Sequence, residues 1–386
     1  MPGNGNKNCI MQPIKMVDLH SQYLRIKPEI DQAIQRILDS TDFIQGRAVK
    51  GFEEALSQYM GGAHVISCGN GTDALQIAMM ALDFKPGDEV ILPVYTYVAT
   101  AEVIALLKLV PVFAEVDENT FTLDVSKVER LITKKTVAIV PVHLYGQCAE
   151  MEPINALAKK YNLHLIEDAA QSLGADYIFH DGSRKKAGTI GIIGSTSFFP
   201  SKNLGAFGDG GALFTEDPVL AEKIRMTANH GQKKKYHHDV IGVNSRLDTL
   251  QASILHVKLA YLDQYAQRRR SVADYYDANL KGVSFIKTPK RVSYSTHVFH
   301  QYTVMVNTVD RDKLKTYLQE RNIPTIIYYP IPLHLQQAYR KEGFGPGSFP
   351  VSERLCDTVL SLPIHTEMDK EQLSYICDSI KSFGNA

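Results

Sequence analysis

Cysteine is scarce in this chain, and its few cysteines lie far apart. The sequence has 5 cysteines among 386 residues, and no two of them form a Cys-x-x-Cys pair. This spacing argues against a metal site, and an odd, sparse count is more typical of a reducing compartment than of a disulfide scaffold. We therefore expect a cytoplasmic protein that binds no metal.

The chain also lacks an excess of either charge and any long apolar run. Lysine plus arginine and aspartate plus glutamate both total 42, so the charge balance gives no reason to expect a nucleic acid or a membrane surface as a partner. No apolar run approaches the roughly 18–20 residues that span a bilayer. The first twelve residues lack the apolar core of a secretory signal. We expect residues 1–15 to form an N-terminal tail.

Composition and the order of apolar segments predict an α/β fold. Hydrophobic residues make up 44% and charged residues 22% of the chain, which is ordinary for a soluble globular protein with room for two domains. Short apolar runs alternate with helical patterns from residue 64 onward, which favours a largely parallel sheet buried on both faces. The predicted strands are His64–Ser67, Glu89–Pro93, Val110–Val116, Val137–Leu144, His164–Asp168, Ser195–Phe199 and Gly211–Thr215.

The pattern changes after about residue 255, which indicates a second, smaller α+β domain. We predict a large α/β domain over residues 16–255 and a small domain over residues 256–386. Helices are predicted at Pro28–Ser40, Thr72–Leu82, Pro153–Tyr161, Ser245–Leu262, Ser271–Leu280, Arg311–Arg321 and Glu371–Phe383, with one further strand at Gln301–Val306.

Lys202 and Asp168 have the most informative surroundings in the sequence. Lys202 follows an apolar strand and precedes a glycine-rich run, and Asp168 ends the strand before it, at the edge where α/β sheets bind ligands. Alone, a loop lysine is usually solvated and a strand-end aspartate usually caps a helix. Together they suit pyridoxal phosphate (PLP): the amine can form a Schiff base with the aldehyde, and the carboxylate can keep the pyridine nitrogen protonated.

A third segment upstream can hold the cofactor phosphate. Gly71 and Thr72 lie where a strand leads into a helix, and the amides of a helix N-terminus bind anions. Alone, this segment is better explained as an ordinary turn with a polar cap. Ser197 can add a hydroxyl five residues before the lysine. The phosphate-binding segment, Asp168 and Lys202 occur along the chain in the order that a PLP-binding fold supplies them.

Two other stretches allow both a functional and a structural interpretation. Tyr97, after the strand at residues 89–93, can stack on a cofactor ring or pack beneath a loop. The basic and aromatic run at residues 231–238 can be a solvated face or can meet the diphosphate of a nucleotide. Asn244 and Arg246 come after this run in the chain.

These motifs together resemble the DegT/DnrJ/EryC1/StrS family of PLP-dependent nucleotide-sugar aminotransferases, from about Val17 to the C-terminus. The resemblance rests on the segments at residues 69–75 (GNGTDAL), 95–101 (YTYVATA), 167–172 (EDAAQS), 197–205 (SFFPSKNLG), 208–212 (GDGGA) and 244–248 (NSRLD). It implies the type I aminotransferase fold and a homodimer with shared active sites. It also implies an aminotransferase rather than a dehydratase, because the dehydratases of the family carry histidine at the position of Lys202.

The resemblance also implies a role for each matching residue. Lys202 would bond to the cofactor and move the proton, and Asp168 would pair with the pyridine nitrogen. Gln171 and Tyr97 would contact the ring. The phosphate would be held by Gly71, Thr72, Ser197 and, from the neighbouring subunit, Asn244.

Within the family, three stretches are most similar to transaminases of UDP-2-acetamido-2-deoxy-3-keto-glucuronic acid. They are residues 230–238, 242–251 and 329–333. Arg246 would suit the diphosphate or the uronic carboxylate, and Tyr328 and Tyr329 would contact the sugar, although Tyr328 replaces a histidine of those relatives. We expect L-glutamate as the amino donor, 2-oxoglutarate as its product, and a role in surface polysaccharide synthesis. The alternatives are a 3-keto or 4-keto deoxysugar linked to dTDP or UDP, a PLP-dependent dehydratase, and a regulator without enzymatic activity.

Overall fold

Alternating strands and helices form most of the chain in the computed structural model, which describes residues 12–340 and 343–384. The helices α1 to α12 are Leu19–Arg25, Lys27–Ser40, Arg47–Tyr59, Gly71–Ala81, Ala99–Leu106, Met151–Tyr161, Pro218–Ala228, Thr249–Leu259, Leu262–Leu280, Arg311–Glu320, Pro350–Thr358 and Lys370–Phe383. The strands β1 to β14 are His64–Cys68, Glu89–Pro93, Val110–Ala114, Thr136–Ile139, His164–Asp168, Asp176–Ile178, Arg184–Lys186, Ile193–Ser197, Gly211–Thr215, Gln232–Lys234, His237–His238, Ile286–Lys287, Tyr302–Val306 and Val359–Leu362.

A seven-stranded sheet organises the N-terminal two thirds of the fold. Its order is β1-β9-β8-β5-β4-β2-β3. The pairs β2–β3, β2–β4, β4–β5 and β5–β8 are parallel, while β9 is antiparallel to both β1 and β8. The predicted α/β class with a mostly parallel sheet is confirmed.

Helices cover both faces of this sheet, as the apolar strands predict. Alternate residues of β2 show the two faces: Val90 and Leu92 pack in one core with Ile77 of α4, whereas Ile91 packs in another core with Ile154 of α6. A strand with apolar side chains on both faces is stable only when both faces are covered.

A three-stranded antiparallel sheet, β12-β13-β14, forms the centre of the C-terminal part. Its core includes Tyr276 of α9, Leu314 of α10 and Ile376 of α12. Ile14 packs into the same core, so the described end of the predicted tail contacts this region. The predicted tail at residues 1–11 lies outside the described residues. The predicted boundary between residues 255 and 256 falls within α8 and stays a prediction.

Two predicted elements differ from the structure for identifiable reasons. The strand predicted at Val137–Leu144 ends at Ile139, just before Pro141, which has no N–H to donate to a ladder. The helix predicted at Ser245–Leu262 begins only at Thr249, and a second helix starts at Leu262. The residues before Thr249 are extended instead because they pair with other backbone segments: Asn244 forms a bridge with Asn229, and Asp248 forms one with Ile44.

Of the residues that the structure describes, none belongs to a helix with the length and hydropathy needed to cross a bilayer.

Candidate active site

The polar ends of β1, β5 and β8 bring the main sequence-predicted residues to one edge of the large sheet. β5 and β8 pair in parallel with Asp168 opposite Ser195, so both strands end at the same side. Ser197 ends β8, and Lys202 lies within the next turn. The general rule that ligands bind at the carboxyl ends of parallel strands applies directly to this edge.

Ser197 lies against the first residue of α4. A Cβ added at Gly71 would lie 2.7 Å from the Cβ of Ser197, so only glycine fits at this helix start without displacing the serine. The side chain of Asn70 caps the helix by accepting a hydrogen bond from the N–H of Asp73 at 2.8 Å. Gly71, Thr72 and Ser197 are all partly exposed. Their amides and hydroxyls form a cradle that fits a phosphate group.

Asp168 is buried and held in one orientation. Its Oδ2 accepts a hydrogen bond from the hydroxyl of Thr100 at 2.8 Å, and its Oδ1 accepts one from the N–H of Ala170 at 3.2 Å. Thr100 lies in the family motif at residues 95–101, but no role was predicted for it. Its position at the start of α5, facing a carboxylate on β5, depends on tertiary packing.

Glu167, the neighbour of Asp168 on β5, points to the opposite face of the strand and is fully used by the protein. Its carboxylate accepts hydrogen bonds from Nε2 of His143 at 2.9 Å, from the N–H of Gly188 at 2.9 Å, and from the N–H groups of Ile190 and Gly191 at 2.6 Å. These bonds to its charged form outweigh burial and lower the pKa of Glu167. The two adjacent carboxylates therefore differ: that of Glu167 is structural, and that of Asp168 is available to a ligand at the edge of the sheet.

The turn that carries Lys202 is anchored on both sides of the lysine. The N–H of Lys202 bonds to the carbonyl of Phe199 at 2.8 Å, and the side chain of Asn203 donates to the carbonyl of Val298 at 3.0 Å. The ammonium group of the buried Lys258 on α8 bonds to the carbonyl of Gly205. Lys258 was not predicted, because nothing in a helical sequence pattern marks a buried lysine.

Burial changes the acidity of Lys202. Loss of hydration lowers its pKa from 10.5 to about 8, and the negative charge of Asp168 opposes this change. Lys202 also lies close enough to the buried His300 to help lower the pKa of that imidazole, although burial is the larger cause. A lysine with a lowered pKa is a better nucleophile near neutral pH than an exposed lysine.

Gln171 and three tyrosines connect the sheet edge to a loop of the C-terminal part. Nε2 of Gln171 donates to the hydroxyl of Tyr329 at 3.1 Å. The rings of Tyr97 and Tyr329 are 6.1 Å apart between centroids. Tyr97 remains 57% exposed, which leaves one ring face open to a ligand. The structure thus places Gln171, Tyr97, Tyr328 and Tyr329 together.

Asn244 and Arg246 flank Ser245, which connects their segment to the loop at the start of α4. Ser245 between them accepts a hydrogen bond from the N–H of Gly69 at 2.9 Å and donates one to Asp73 at 2.6 Å. Arg246 lines a cavity of about 700 Å³ whose lining includes Glu53 but neither Lys202 nor Asp168. Among the described residues, no hydrogen bond joins the side chains of Asn244 or Arg246 to the other predicted site residues.

The residues at the sheet edge fit PLP. The Gly71–Ser197 cradle suits the phosphate, the anchored carboxylate of Asp168 suits a protonated ring nitrogen, and the amine of Lys202 suits the aldehyde. A separate observation supports each of these three groups: a glycine that no larger residue can replace without displacing Ser197, two hydrogen bonds to Asp168, and a lowered pKa of Lys202.

Comparison with known proteins identifies the relatives of this chain. The DegT/DnrJ/EryC1/StrS aminotransferase family matches residues 24–381. A Pseudomonas aeruginosa protein named UDP-2-acetamido-2-deoxy-3-oxo-D-glucuronate aminotransferase is 46% identical over 95% of this chain and 99% of its own. An Aneurinibacillus thermoaerophilus protein named dTDP-3-amino-3,6-dideoxy-alpha-D-galactopyranose transaminase is 44% identical over 96% of this chain and 99% of its own.

Two further similarities bear on activity. A Geobacillus stearothermophilus protein named Pleiotropic regulatory protein is 45% identical over 96% of this chain and 98% of its own. The crystal structure of Streptomyces venezuelae DesV in complex with a ketimine intermediate superposes with a TM-score of 0.93, at 39% identity, over 97% of this chain and 100% of that one.

Proposed function

Because the chain belongs to the DegT/DnrJ/EryC1/StrS family of PLP-dependent aminotransferases, we propose that it transfers an amino group from L-glutamate to the keto group of a nucleotide sugar. The observation that carries this proposal is the placement of Lys202, Asp168 and the Gly71–Ser197 cradle at one sheet edge.

The residues divide the work of cofactor binding. Gly71, Thr72 and Ser197 hold the phosphate, Asp168 accepts a hydrogen bond from the protonated ring nitrogen, and Lys202 bonds to the aldehyde. Gln171 and Tyr97 contact the ring. Bound PLP supplies an aldehyde that condenses with primary amines and a ring that accepts electrons from the carbon that loses its proton.

Lys202 then acts as the acid and base of the transfer. Its Nζ would carry the proton from Cα of glutamate to the C4′ carbon of the cofactor. In the second half of the reaction it would carry a proton from C4′ to the sugar carbon that gains the amine. The lowered pKa of Lys202 suits this work near neutral pH, since a base works best when its pKa is close to the working pH. Thr100 keeps the Asp168 carboxylate in place throughout.

The substrate that we propose is UDP-2-acetamido-2-deoxy-3-keto-glucuronic acid. The similarity to the P. aeruginosa aminotransferase supports it, as does Arg246, whose guanidinium can bind a diphosphate or a uronic carboxylate. Tyr328 and Tyr329 would contact the sugar. A 3-keto or 4-keto deoxysugar linked to dTDP or UDP is the second candidate, supported by the A. thermoaerophilus transaminase.

We also propose a cytoplasmic homodimer that makes an amino sugar for a surface polysaccharide. Several large apolar side chains near the Lys202 turn are exposed, as expected of a surface that a second copy covers. They include Tyr97, Phe199 and Phe207. Asn244 is itself exposed, and we propose that it reaches the phosphate in the neighbouring subunit.

The test is turnover of purified enzyme with L-glutamate and a panel of keto sugars: the UDP-linked 3-keto-glucuronic acid and 3-keto and 4-keto deoxysugars linked to dTDP. We expect 2-oxoglutarate and one amino sugar in equal amounts, with the product identified by NMR. A Lys202→Ala variant is the control, and we expect it to lose the visible absorption of bound PLP and at least about a hundredfold in turnover.

Three results would contradict the proposal. Release of water or ammonia without 2-oxoglutarate would support the dehydratase alternative, and no turnover with any sugar would favour a binding or regulatory protein. Unchanged turnover and colour in Lys202→Ala would remove the lysine from the mechanism.

A further inference from the structure

Two buried tyrosine hydroxyls meet at the backbone of the Tyr328–Tyr329 loop. The carbonyl of Tyr328 accepts a hydrogen bond from the hydroxyl of Tyr95 at 2.6 Å and another from the hydroxyl of Tyr145. The two hydroxyl oxygens are 2.9 Å apart, and the N–H of Tyr329 donates to the hydroxyl of Tyr95 at 3.2 Å. The carbonyl and the N–H of one peptide unit are therefore both held by side chains from the segments that follow β2 and β4.

Tyr145 is also tied to Gln171, which closes a ring of hydrogen bonds. The N–H of Tyr145 donates to Oε1 of Gln171 at 2.7 Å, and Nε2 of the same glutamine donates to the hydroxyl of Tyr329 at 3.1 Å. The hydrogen bonds lead from Gln171 through Tyr145 to Tyr328, and from Tyr329 back to Gln171. Gln171, which we place at the cofactor ring, is therefore part of the same closed network as the Tyr328–Tyr329 loop, which we place at the sugar.

The backbone of Tyr145 has a conformation that the surrounding contacts must hold in place. Its φ is +58°, in the left-handed region that residues with a side chain disfavour. Such a conformation persists only when surrounding contacts determine it, and it is enriched at ligand sites. Here the contacts are the Gln171 side chain on the N–H and the Tyr328 carbonyl on the hydroxyl.

We propose that Tyr145 is a positioning residue that fixes the Tyr328–Tyr329 loop relative to Gln171 and so sets the affinity for the sugar substrate. This inference rests on the proposed function for the identity of the substrate but not for the network itself. Because burial raises the pKa of Tyr95 and Tyr145, both hydroxyls stay protonated and remain donors over the whole working range of pH.

Tyr145→Phe removes the hydroxyl and keeps the ring. The ring packs edge-to-face on Phe121, with centroids 5.3 Å apart, so the variant retains its place in the core. Tyr276→Phe is the matched control, since Tyr276 is also fully buried and its hydroxyl donates to a backbone carbonyl, that of Pro363, at 2.8 Å. Each variant loses one hydrogen bond from a tyrosine hydroxyl to a backbone carbonyl, at Tyr328 in one case and at Pro363 in the other.

The experiment makes three kinds of measurement on the holoenzyme. They are KM and kcat for the keto sugar, the rate of the half-reaction with L-glutamate alone, and hydrogen exchange of the backbone at residues 326–333. For Tyr145→Phe we expect a KM about tenfold higher, the effect of one lost hydrogen bond, with a nearly unchanged glutamate half-reaction and faster exchange in the loop. For Tyr276→Phe we expect wild-type values of all three.

The outcomes separate this inference from the proposed function. Hydrogen exchange at the wild-type rate in the loop of Tyr145→Phe would show that Tyr145 does not hold the loop. An equal slowing of the half-reactions with glutamate and with the keto sugar would show a general structural role instead. If wild-type enzyme aminates no sugar, the proposed function fails, but the exchange measurement still decides whether Tyr145 holds the loop. Binding of UDP-2-acetamido-2-deoxy-D-glucuronate, which has a hydroxyl in place of the ketone, gives an affinity that needs no turnover.

Discussion

Lys202 shows at the scale of one residue how two opposing effects set reactivity. Burial favours the neutral amine, while the negative charge of Asp168 favours the ammonium, and burial wins: the pKa falls to about 8. The neutral, nucleophilic form therefore gains population as the pH rises through about 8, well below the pH at which an exposed lysine loses its proton.

We expect the rate at which the apoenzyme bonds to PLP to rise with pH, with a midpoint near 8. Asp168→Asn removes the charge that raises the pKa of Lys202, so its midpoint should move to lower pH. Visible absorbance after mixing apoenzyme with PLP measures both profiles. Asp176→Asn, which removes a carboxylate paired with Lys186, should keep the wild-type midpoint. A midpoint in Asp168→Asn at or above the wild-type value would contradict this account.

Thr100 gives a second test at this scale. Thr100→Val is nearly isosteric and removes the donor 2.8 Å from Asp168, so the carboxylate loses one of its two fixed contacts. We expect turnover to fall about tenfold to a hundredfold, the effect of one hydrogen bond to a charged group, while PLP stays bound. Thr303→Val in β13, whose hydroxyl bonds to that of Ser361, is the control. Equal losses in both variants would indicate general destabilisation.

At the scale of elements, the start of α4 must approach the end of β8 closely. Gly71→Ala would bring a methyl group within 2.7 Å of the Ser197 Cβ, and relieving that overlap costs about 1–3 kcal/mol. Since the cradle must widen, we expect PLP to bind about tenfold more weakly or worse. Titration of apoenzyme with PLP measures the affinity.

Gly51→Ala is the control for this prediction. Gly51 lies inside α3, where an added Cβ would meet His256 only at 3.9 Å. We expect wild-type PLP affinity there. Wild-type affinity in Gly71→Ala as well would mean that the close approach is not part of the cofactor site.

The strands of the large sheet were easier to predict from the sequence than the segments that connect them. The bounds of β2, β5 and β9 match the prediction, because each is an apolar run bounded by polar residues, glycine or proline. The helix predicted from Ser245 was wrong at its start, because hydrogen bonds from distant residues extend that segment. Periodicity reports which face is buried, not whether a tertiary contact competes for the backbone.

The same limit applies to the site. Motif order predicted Lys202, Asp168 and the cradle, and the structure brings these residues to one edge. Thr100, Lys258 and Tyr145 were not predicted, because each acts through a partner that is distant in sequence: Asp168, Gly205 and Tyr328. A side chain that only positions another group leaves no local pattern.

At the scale of the molecule, the proposed dimer makes a prediction that a monomer cannot satisfy. If Asn244 completes the site of the neighbouring subunit, a mixed dimer of Lys202→Ala and Asn244→Ala chains contains one intact site. Equal mixing should then restore about a quarter of wild-type turnover, since random pairing gives about half mixed dimers. Turnover is measured after the two inactive variants are mixed under conditions that allow subunit exchange.

The control for mixing pairs Lys202→Ala with Asp168→Ala. If Lys202 and Asp168 of one chain serve the same site, each site of a mixed dimer lacks one of these two residues. A complete site could form only if the two residues came from different chains. We expect no recovery. Recovery in this control, or none with Asn244→Ala, would contradict the proposed arrangement of shared sites.

The adjacent carboxylates of β5 limit how this protein can change over evolutionary time. Glu167 is bound by backbone amides and His143 on one side of the strand, and Asp168 faces the ligand edge on the other. Loss or gain of a single codon within β5 would turn each following side chain to the opposite face of the strand. The four hydrogen-bond donors around Glu167 would then lose their acceptor, and Glu167 rather than Asp168 would face the cofactor. Length variants in this strand should therefore be absent from active descendants, whereas variation in length is tolerable in loops remote from this edge.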